Sequence, residues 1–439
     1  MKLEKLKNKK VAVWGYGVDG RATASFLHKY CPGQKFDVLC RKDETDDQPW
    51  NFVTEAVTAM VLNAYDVVVK SPGISPYLEP AKTVQCQIIS STALWFDNFK
   101  NATHTNIHVI AITGTKGKST TSAMLTHVLR DMGFEVELAG NFGKPLISCN
   151  QPVDYVVLET SSYQAQDGVI KADVAVVLNL YSEHLNWHIT EAQYHADKMC
   201  LLNQAKHWVL NASDVNTVSY LAEKGGGTQE KIHWFNQVNG FYELNQTLMY
   251  QDKALLSHFG WQLKGAHNLV NAAAVLEILS VLKLDVKKAL NSLKFFAPLP
   301  HRLQPLGECN GVRFINDSIS STPHATLAAL KTVENDKTIL LVGGFDRGVD
   351  WDWWMEAIKK KPPKIILCSG DNGEKIHRLI LNHEIKTQSI WQPSLKTAVK
   401  TAKELAQAGD VVLLSPGAPS FDAFKDYQHR GQQFAQWVR

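Results

Sequence analysis

The stretch His108–Thr121 reads H-V-I-A-I-T-G-T-K-G-K-S-T-T. An apolar run, Val109 to Ile112, enters a turn with two glycines, and Lys118-Ser119 follows. Met124, Leu125, Val128, Leu129 and Met132 then recur at the spacing of a helix packed on a sheet. Gly114 and Gly117 let the backbone turn its N–H groups inward around an anion, with Thr115, Lys116 and Thr120 in the same cradle. The helix start adds the positive end of its dipole. Lys118 can reach terminal phosphates, and the Ser119 hydroxyl can serve Mg²⁺. The loop is the shortened form G-T-K-G-K-S, since the full pattern has glycine where Ile112 stands. A strand–helix turn without a ligand is the plainer alternative, but G-K-S seldom falls between a strand and an amphipathic helix by chance. ATP is the expected ligand.

Four more polar residues stand just beyond apolar runs or in a nearby helix. Asn141 lies in G-N-F-G, Glu159 closes D-Y-V-V-L-E, His184 ends N-L-Y-S-E-H, and Lys198 falls in an expected helix with Thr190 as its N-cap. A carboxylate on a strand beside the phosphate loop is where a Mg²⁺ ligand belongs. Alone, each residue has a plainer reading. Glu159 could pair with a lysine, His184 could be an ordinary loop histidine, and Lys198 could be a solvated helix lysine.

The elements that must position these groups alternate strand and helix, which implies parallel sheets with crossovers. The chain opens with Val11–Trp14 and then Gly15-x-Gly17-x-x-Gly20, a Rossmann-like first turn, with a helix expected over Arg21–Tyr30. Further strands are expected at Phe36–Leu39 and Asp66–Val69. The Phe36–Leu39 strand runs on through Cys40 into Arg41-Lys42, without the acidic residue that would hold an NAD ribose. That suits a phosphorylated ligand other than NAD, or two simply solvated side chains. A middle unit from about residue 98 adds strands at Tyr155–Leu158, Val174–Leu178 and Trp208–Leu210, a glycine loop at Lys224–Gln229 and a helix at Ala272–Val281. Pro298-Leu-Pro300-His-Arg302 reads as a boundary. A third unit has strands at Arg313–Asn316, Thr338–Val342, Ile365–Cys368 and Val411–Leu414. D-V-V-V-K-S-P-G at residues 66–73 echoes D-V-V-L-L-S-P-G at 410–417. Either turn could touch a ligand beyond a strand's carboxyl end, or both could be convergent turn chemistry.

Composition excludes several classes. The 439 residues are 45% hydrophobic and 20% charged, with a formal net charge of +3. That length favours two or three domains, and that charge gives no bulk case for nucleic acid. No apolar run reaches the length of a membrane span, and the start M-K-L-E-K-L-K-N-K-K has no signal-peptide pattern. Seven scattered cysteines without C-x-x-C suggest free thiols in a reducing cytoplasm.

In one order the chain carries G-T-K-G-K-S-T, G-N-F-G, L-E-T-S-S-Y-Q, N-L-x-x-E-H-L, the Lys198 helix, G-A-H-N-L-x-N-A-A-A, P-H-R and N-D-S. That series resembles the Mur ligases, ATP-dependent amide-forming enzymes of peptidoglycan precursor synthesis, over essentially the whole chain. Within the family it is similar to the MurD branch, which joins glutamate to UDP-N-acetylmuramoyl-L-alanine. Length, the short first domain and the ending S-F-D-A-F-K-D-Y-Q-x-R-G-x-x-F point there. The resemblance implies an α/β fold of three domains: a Rossmann-like UDP-substrate domain (1–97), a central ATPase-like domain with a mostly parallel sheet (98–299), and a Rossmann-like domain (300–439) that binds glutamate and closes on ATP.

It also implies roles. ATP would phosphorylate the muramoyl-alanine carboxylate, and the glutamate amine would attack the acyl phosphate. Lys118 would bind the β- and γ-phosphates, while Ser119 and Glu159 would hold one Mg²⁺. A second Mg²⁺ would sit near His184 and Lys198, the latter carbamylated by CO₂ and hence anionic. Asn268, Asn271, Arg302 and Asp317 match nucleotide positions, with Arg302 on phosphate and Asp317 on ribose. Val18, Asp19, Arg41 and Ser71-Pro72-Gly73-Ile74 match the uridine diphosphate site, and Asn141 and Gln164 would reach the sugar or its peptide arm. A cytoplasmic monomer is expected.

The chain departs from the family pattern around the incoming amino acid. N-D-S-K-A-T is here Asn316-Asp-Ser-Ile319-Ser-Ser321-Thr, and the nearest basic residue in the G-G-F-D-R loop is Arg347. Ser420, Phe421 and Tyr427 complete the candidate glutamate site. Arginine does not replace lysine at a carboxylate without changing the angle of approach. D-glutamate is the family default. These changes resemble a variant group that adds L-glutamate, and both forms stay open. Two more distant readings are a folylpolyglutamate synthase-like ligase, which residues 1–95 argue against, and an NAD(P)-dependent oxidoreductase, which leaves the G-K-S loop unexplained.

Overall fold

The computed structural model describes residues 1–100, 107–224, 228–257, 261, 263 and 265–439. The glycine triplet of the expected 224–229 loop lies outside the described residues. The chain forms two compact units, Met1–Phe296 and Ala297–Arg439.

The first unit holds three sheets. Strands β1 (Val11–Trp14), β2 (Phe36–Leu39), β3 (Asn51–Val53), β4 (Val67–Lys70) and β5 (Gln87–Ser90) form a parallel sheet ordered β3-β2-β1-β4-β5. The chain moves from β1 out to β3 and returns on the other side of β1, so the switch point lies between β1 and β4. Ligand crevices of open parallel sheets form there, beyond the carboxyl ends. The helix after β1 spans Val18–Tyr30, three residues earlier than expected, because Gly17 serves as its N-cap.

Strands β6 (His108–Thr113), β7 (Val136–Gly140), β8 (Tyr155–Glu159), β9 (Val174–Val177), β10 (His207–Asn211) and β11 (Ile232–Phe235) form a second parallel sheet, ordered β11-β10-β9-β6-β8-β7. Buried on both faces, β6, β8 and β9 are near-continuous runs of Val, Ile, Leu and Ala. The switch point falls at β6, whose neighbours are β8 and β9. An antiparallel meander follows: β12 (Phe241–Leu244), β13 (Thr247–Tyr250) and β14 (Lys253–Ser257). One apolar core runs through both parallel sheets, joined by Trp95, Phe96, Leu146 and Ile147, and Trp95 Nε1 donates to Cys149 O at 2.6 Å.

The second unit is one sheet, ordered β15-β16-β20-β17-β18-β19. Its strands are β15 (Gln304–Cys309), β16 (Val312–Asn316), β17 (Thr338–Val342), β18 (Ile365–Cys368), β19 (Gln388–Trp391) and β20 (Val411–Leu414). Only β15 runs antiparallel, and helices on the two faces bury separate cores. All seven cysteines are free thiols. No described helix is long and apolar enough to cross a membrane.

Candidate active site

The loop between β6 and the helix Lys118–Asp131 requires its glycines. Gly117, the N-cap, has φ 87°, and a Cβ there would lie 2.6 Å from Asn271 Oδ1. At Gly114 a Cβ would lie 2.9 Å from Leu178 Cβ. The segment after β9 clamps the loop. Thr115 N donates to Asn179 O at 2.9 Å and Lys116 N to Asn179 Oδ1 at 2.8 Å, while Asn179 Nδ2 returns a bond to Lys116 O at 3.1 Å. Thr115 Oγ1 lies 3.1 Å from Tyr181 O and 3.0 Å from Tyr194 OH. Lys118 Nζ folds back onto Gly114 O (2.7 Å) and Thr115 O (3.0 Å), so its charge sits over the loop. Lys116 pairs with Glu183. Ser119 and Thr120 occupy the first helical turn.

Glu159 ends β8 in register with Ile112 of β6 and is 1% exposed. Its Oε1 accepts from Asn141 Nδ2 at 3.0 Å, whereas Oε2 is buried with no hydrogen-bond partner among the described residues. A buried carboxylate oxygen without a partner is costly and marks a place for a cation. Asn141 thus turns to Glu159 in this structure.

Lys198 lies on the helix Glu191–Met199, capped as expected by Thr190, whose hydroxyl accepts from Gln193 N. It is not a solvated helix lysine. It is 2% exposed, its Nζ donates to Gly114 O at 3.0 Å, and the ammonium lies 4.9 Å from the Tyr194 ring centre. Burial holds its pKa well below the ordinary lysine value, and the Lys118 charge pushes the same way against Glu183 and Glu159. A lysine in such surroundings is readily a neutral amine, hence a nucleophile. His184 sits at φ 58°, as N-cap of the short helix Leu185–His188. Burial first, then Lys198 and Lys118, lower its pKa against the pull of Glu183, so a neutral imidazole is favoured.

Among the described residues no three His, Cys, Asp or Glu side chains gather as a metal cage. Mg²⁺ between phosphate oxygens needs none. It keeps water and takes one or two protein oxygens. The unpartnered Oε2 of Glu159, beside the strand that feeds Ser119, fits that role. Asn268 and Asn271 lie one turn apart on the helix Ala266–Val281, with Asn271 Nδ2 3.3 Å from Asn268 Oδ1. The helix begins six residues before the expected Ala272, and the longer helix includes both asparagines, with Asn271 against Gly117.

At the first sheet's switch point, Ser71 Oγ donates to Gly15 O at 3.0 Å, so the β1 and β4 turns touch. A Cβ on Gly20 would stand 1.9 Å from Gly15 O. Lys70, which sequence reasoning missed, is buried and donates to Ile74 O at 2.7 Å, shaping the Ser71-Pro72-Gly73-Ile74 loop. Burial lowers its pKa. Val18 is exposed at the helix start, and Asp19 is half-buried with Ser91 Oγ 3.4 Å away. Arg41 is exposed and pairs with Glu44 (3.2 Å) and Asp43 (3.5 Å), the solvated arrangement. Gln164 Oε1 accepts from Ser161 N at 3.0 Å, a capping box for Ser162–Ala165, so its carbonyl turns back on its own helix.

In the second unit, Asp317 Oδ2 accepts from Ser320 Oγ (2.5 Å) and Ser415 Oγ (2.8 Å), and Oδ1 accepts from Leu303 N (3.1 Å). Burial pushes its pKa up to about 6 against these bonds. Arg302 Nε is buried and makes no hydrogen bond among the described residues. Arg347 Nη2 donates to Ser321 O at 3.0 Å, joining two candidate glutamate loops. Ser420 is buried, Phe421 is exposed, and Tyr427 opens the helix Tyr427–Val438. Buried Arg430 ties these pieces together through Ser318 O (2.8 Å), Ala418 O (3.0 Å) and Pro419 O (3.1 Å). Its signal in the sequence was a charge in register with Phe434 and Val438 on an apolar helix face.

A phosphate loop at a parallel sheet's switch point, with a half-satisfied buried carboxylate on the next strand and a buried lysine against the loop, defines an α/β nucleotide-dependent enzyme. The Mur ligase middle domain matches residues 112–279, and the Mur ligase glutamate ligase domain matches residues 301–417. The chain belongs to the Mur ligase family. It is 39% identical to a UDP-N-acetylmuramoyl-L-alanine--L-glutamate ligase of Xanthomonas axonopodis pv. citri (strain 306), over 99% of this chain and 96% of that protein. A protein of the same name from Salinispora tropica is 32% identical over 100% and 99%. Among solved structures, Thermotoga maritima UDP-N-acetylmuramate-alanine ligase MurC superposes with TM-score 0.61 at 19% identity, covering 98% of this chain and 99% of that one. The E. coli FolC structure with DHPP and ADP gives TM-score 0.54 at 18% identity, but covers only 74% of this chain and 87% of its own.

Proposed function

We propose that this chain is an ADP-forming ligase that joins L-glutamate to UDP-N-acetylmuramoyl-L-alanine through an acyl phosphate. The observation that carries the chemistry is the buried Lys198 against the phosphate loop, with Glu159, one carboxylate oxygen unbonded, in register with the strand that leads into that loop. The choice of L-glutamate rests on the names of the relatives and on the departures at Ile319 and Arg347.

Residues 1–97 take the UDP-sugar at the turns after β1 and β4. Residues 98–299 take the triphosphate, and residues 300–439 take glutamate through Ser321, Arg347, Ser420, Phe421 and Tyr427. The substrate carboxylate oxygen attacks the γ-phosphorus, and ADP leaves with the P–O electron pair. The glutamate amine adds to the acyl carbon, loses a proton, and phosphate departs. Little covalent work falls to the protein, so orientation and charge neutralisation dominate. Lys118 serves the β- and γ-phosphates, with Asn268 and Asn271 beside the same loop. Ser119 and Glu159 would hold one Mg²⁺, and His184 with Lys198 a second. Mg²⁺ supplies charge neutralisation of the phosphates and the carboxylate. Lys198 Nζ adds to CO₂ and loses a proton to solvent, giving the carbamate oxygens that a hard cation prefers. Such an enzyme works in the cytoplasm, and one chain carries every proposed site residue.

The test is ADP release by the full chain with ATP, Mg²⁺ and UDP-N-acetylmuramoyl-L-alanine, given either enantiomer of glutamate. Release should require both substrates and favour L-glutamate at least about tenfold in kcat/KM, which is about 1.4 kcal/mol of transition-state preference. Preference for D-glutamate overturns the L assignment alone. Release without the UDP-sugar, but with a folate acceptor, overturns the ligase assignment in favour of the FolC-like reading.

A further inference from the structure

Asp197 lies beside Lys198 on the helix Glu191–Met199, and the proposed reaction gives it no task. Its Oδ2 is 2.5 Å from His188 Nδ1, and His188 Nε2 is 2.9 Å from Ser162 Oγ. Serine, histidine and aspartate in that order form the geometry of an activated hydroxyl. Burial removes that reading. His188 is 0% exposed and Ser162 2%, so the hydroxyl meets no substrate.

The other oxygen shows what the cluster holds. Asp197 Oδ1 accepts from Tyr77 OH at 2.6 Å and from Gln193 Nε2 at 2.8 Å. Tyr77 closely follows the Ser71–Ile74 loop. Two more bonds join the same segments: Ser75 Oγ donates to Trp187 O at 2.6 Å, and Trp187 Nε1 donates to Gly73 O at 3.1 Å. The Tyr77 and Trp187 rings meet edge to face at 5.8 Å. The stretch they grip is strained, since His184 has φ 58° and Ile189 φ 72° on either side of the Leu185–His188 helix. A β-branched residue at positive φ persists only where its surroundings over-determine it. From Lys198 the series continues to the phosphate loop through Nζ and Gly114 O at 3.0 Å.

We propose that Tyr77 and Asp197 are positioning residues that couple two sites. A UDP-sugar held at Ser71–Ile74 steadies, through Tyr77 and Asp197, the helix that sets Lys198 against Gly114, so each ligand tightens the other. This rests on the assignment of the UDP-sugar to the first sheet. Coupling through packed groups must be measured as a ratio of affinities, and thermodynamics makes that ratio reciprocal.

Calorimetric titration of the full chain with ADP and Mg²⁺, with and without saturating UDP-N-acetylmuramoyl-L-alanine, reads it. In the wild type the second ligand should tighten ADP at least about fivefold. Tyr77→Phe keeps the ring and loses one hydroxyl. It should bring the ratio below about twofold while each ligand measured alone stays within about threefold of wild type. Asp197→Asn should act the same way. Should Asp197→Asn fail to fold, Tyr77→Phe decides. A purely structural role would lower Tm and weaken both ligands with the ratio intact. That result overturns the proposal, as does a wild-type ratio of one with both ligands bound. A wild type that binds ADP but no UDP-sugar sinks the functional reading, and this coupling with it.

Discussion

Glu159 separates charge from shape. Asn141 satisfies one oxygen, and the other is buried without a partner. Glu159→Gln keeps the volume and removes the charge. ATP turnover should fall at least about 100-fold, because the carboxylate proposed to hold Mg²⁺ is gone. ADP affinity measured in chelator should change less than about threefold, and Tm should hold or rise, since an unpaired buried charge costs stability. Equal loss of ADP affinity with and without Mg²⁺ would mean that Glu159 shapes the loop and holds no ion. A second carboxylate reports through pH. Glu277, half-buried on the Ala266–Val281 helix, has its pKa pushed up to about 7 by burial. Its folded pKa is above its unfolded one, so its contribution to stability is full in acid and is lost as pH rises through about 7. Glu277→Gln should therefore match wild type near pH 4.5 and exceed it near pH 8, by about 1–2 kcal/mol after allowance for the solvated part of the group. Thermal melts across that range check the sign. A variant no more stable at high pH would show that the carboxylate finds a partner when ionised.

At the scale of elements, close approach at the first turn makes a sharper demand than its conformation. A Cβ on Gly20 would stand 1.9 Å from Gly15 O, a backbone atom that cannot swing aside. Gly20→Ala must push the Val18–Tyr30 helix off the turn. Affinity for the UDP-sugar should drop at least about tenfold, while ADP affinity in the absence of that ligand stays near wild type. Unchanged UDP-sugar affinity would move its site away from this turn. The elements also explain what could be read in advance. The interior strands β1, β2, β4, β6, β8, β9, β10, β16, β17, β18 and β20 were legible as apolar runs, because central strands of parallel sheets are covered on both faces. The edge strands β3, β5, β7, β11, β15 and β19 were not. Half-exposed sequences such as Gln87–Ser90 and Gln388–Trp391 carry little apolar signal, and only pairing with a neighbour makes them strands. The antiparallel meander escaped for the same reason. The site divides similarly. The phosphate loop and the Thr190 cap are local, so residue spacing exposed them. The burial of Lys198, the grip of Asp197 on Tyr77 and the fan of bonds from Arg430 join residues far apart in sequence, and no window of sequence contains them.

At the scale of the whole molecule, the number of sheets does not give the number of cooperative parts. The first unit has two parallel sheets, each with its own switch point, which would suggest separate melting. Yet a single core passes from Val11 and Val69 through Trp95 and Phe96 to Val109 and Val177. The ties at Trp95–Cys149, Ser75–Trp187 and Tyr77–Asp197 cross the same boundary. Apolar area shared in this way is lost all at once, so residues 1–296 should unfold as one body. The second unit has cores of its own. Scanning calorimetry of the full chain should therefore show no early transition belonging to residues 1–97 alone. A UDP-sugar at the first sheet should raise the same transition that ADP with Mg²⁺ raises. Each at 100 times its Kd should add about 2.7 kcal/mol to the stability of that body. A low-temperature transition that moved only with the UDP-sugar would mean that the first sheet melts by itself. The shared core would then be too weak to carry energy between the two sites.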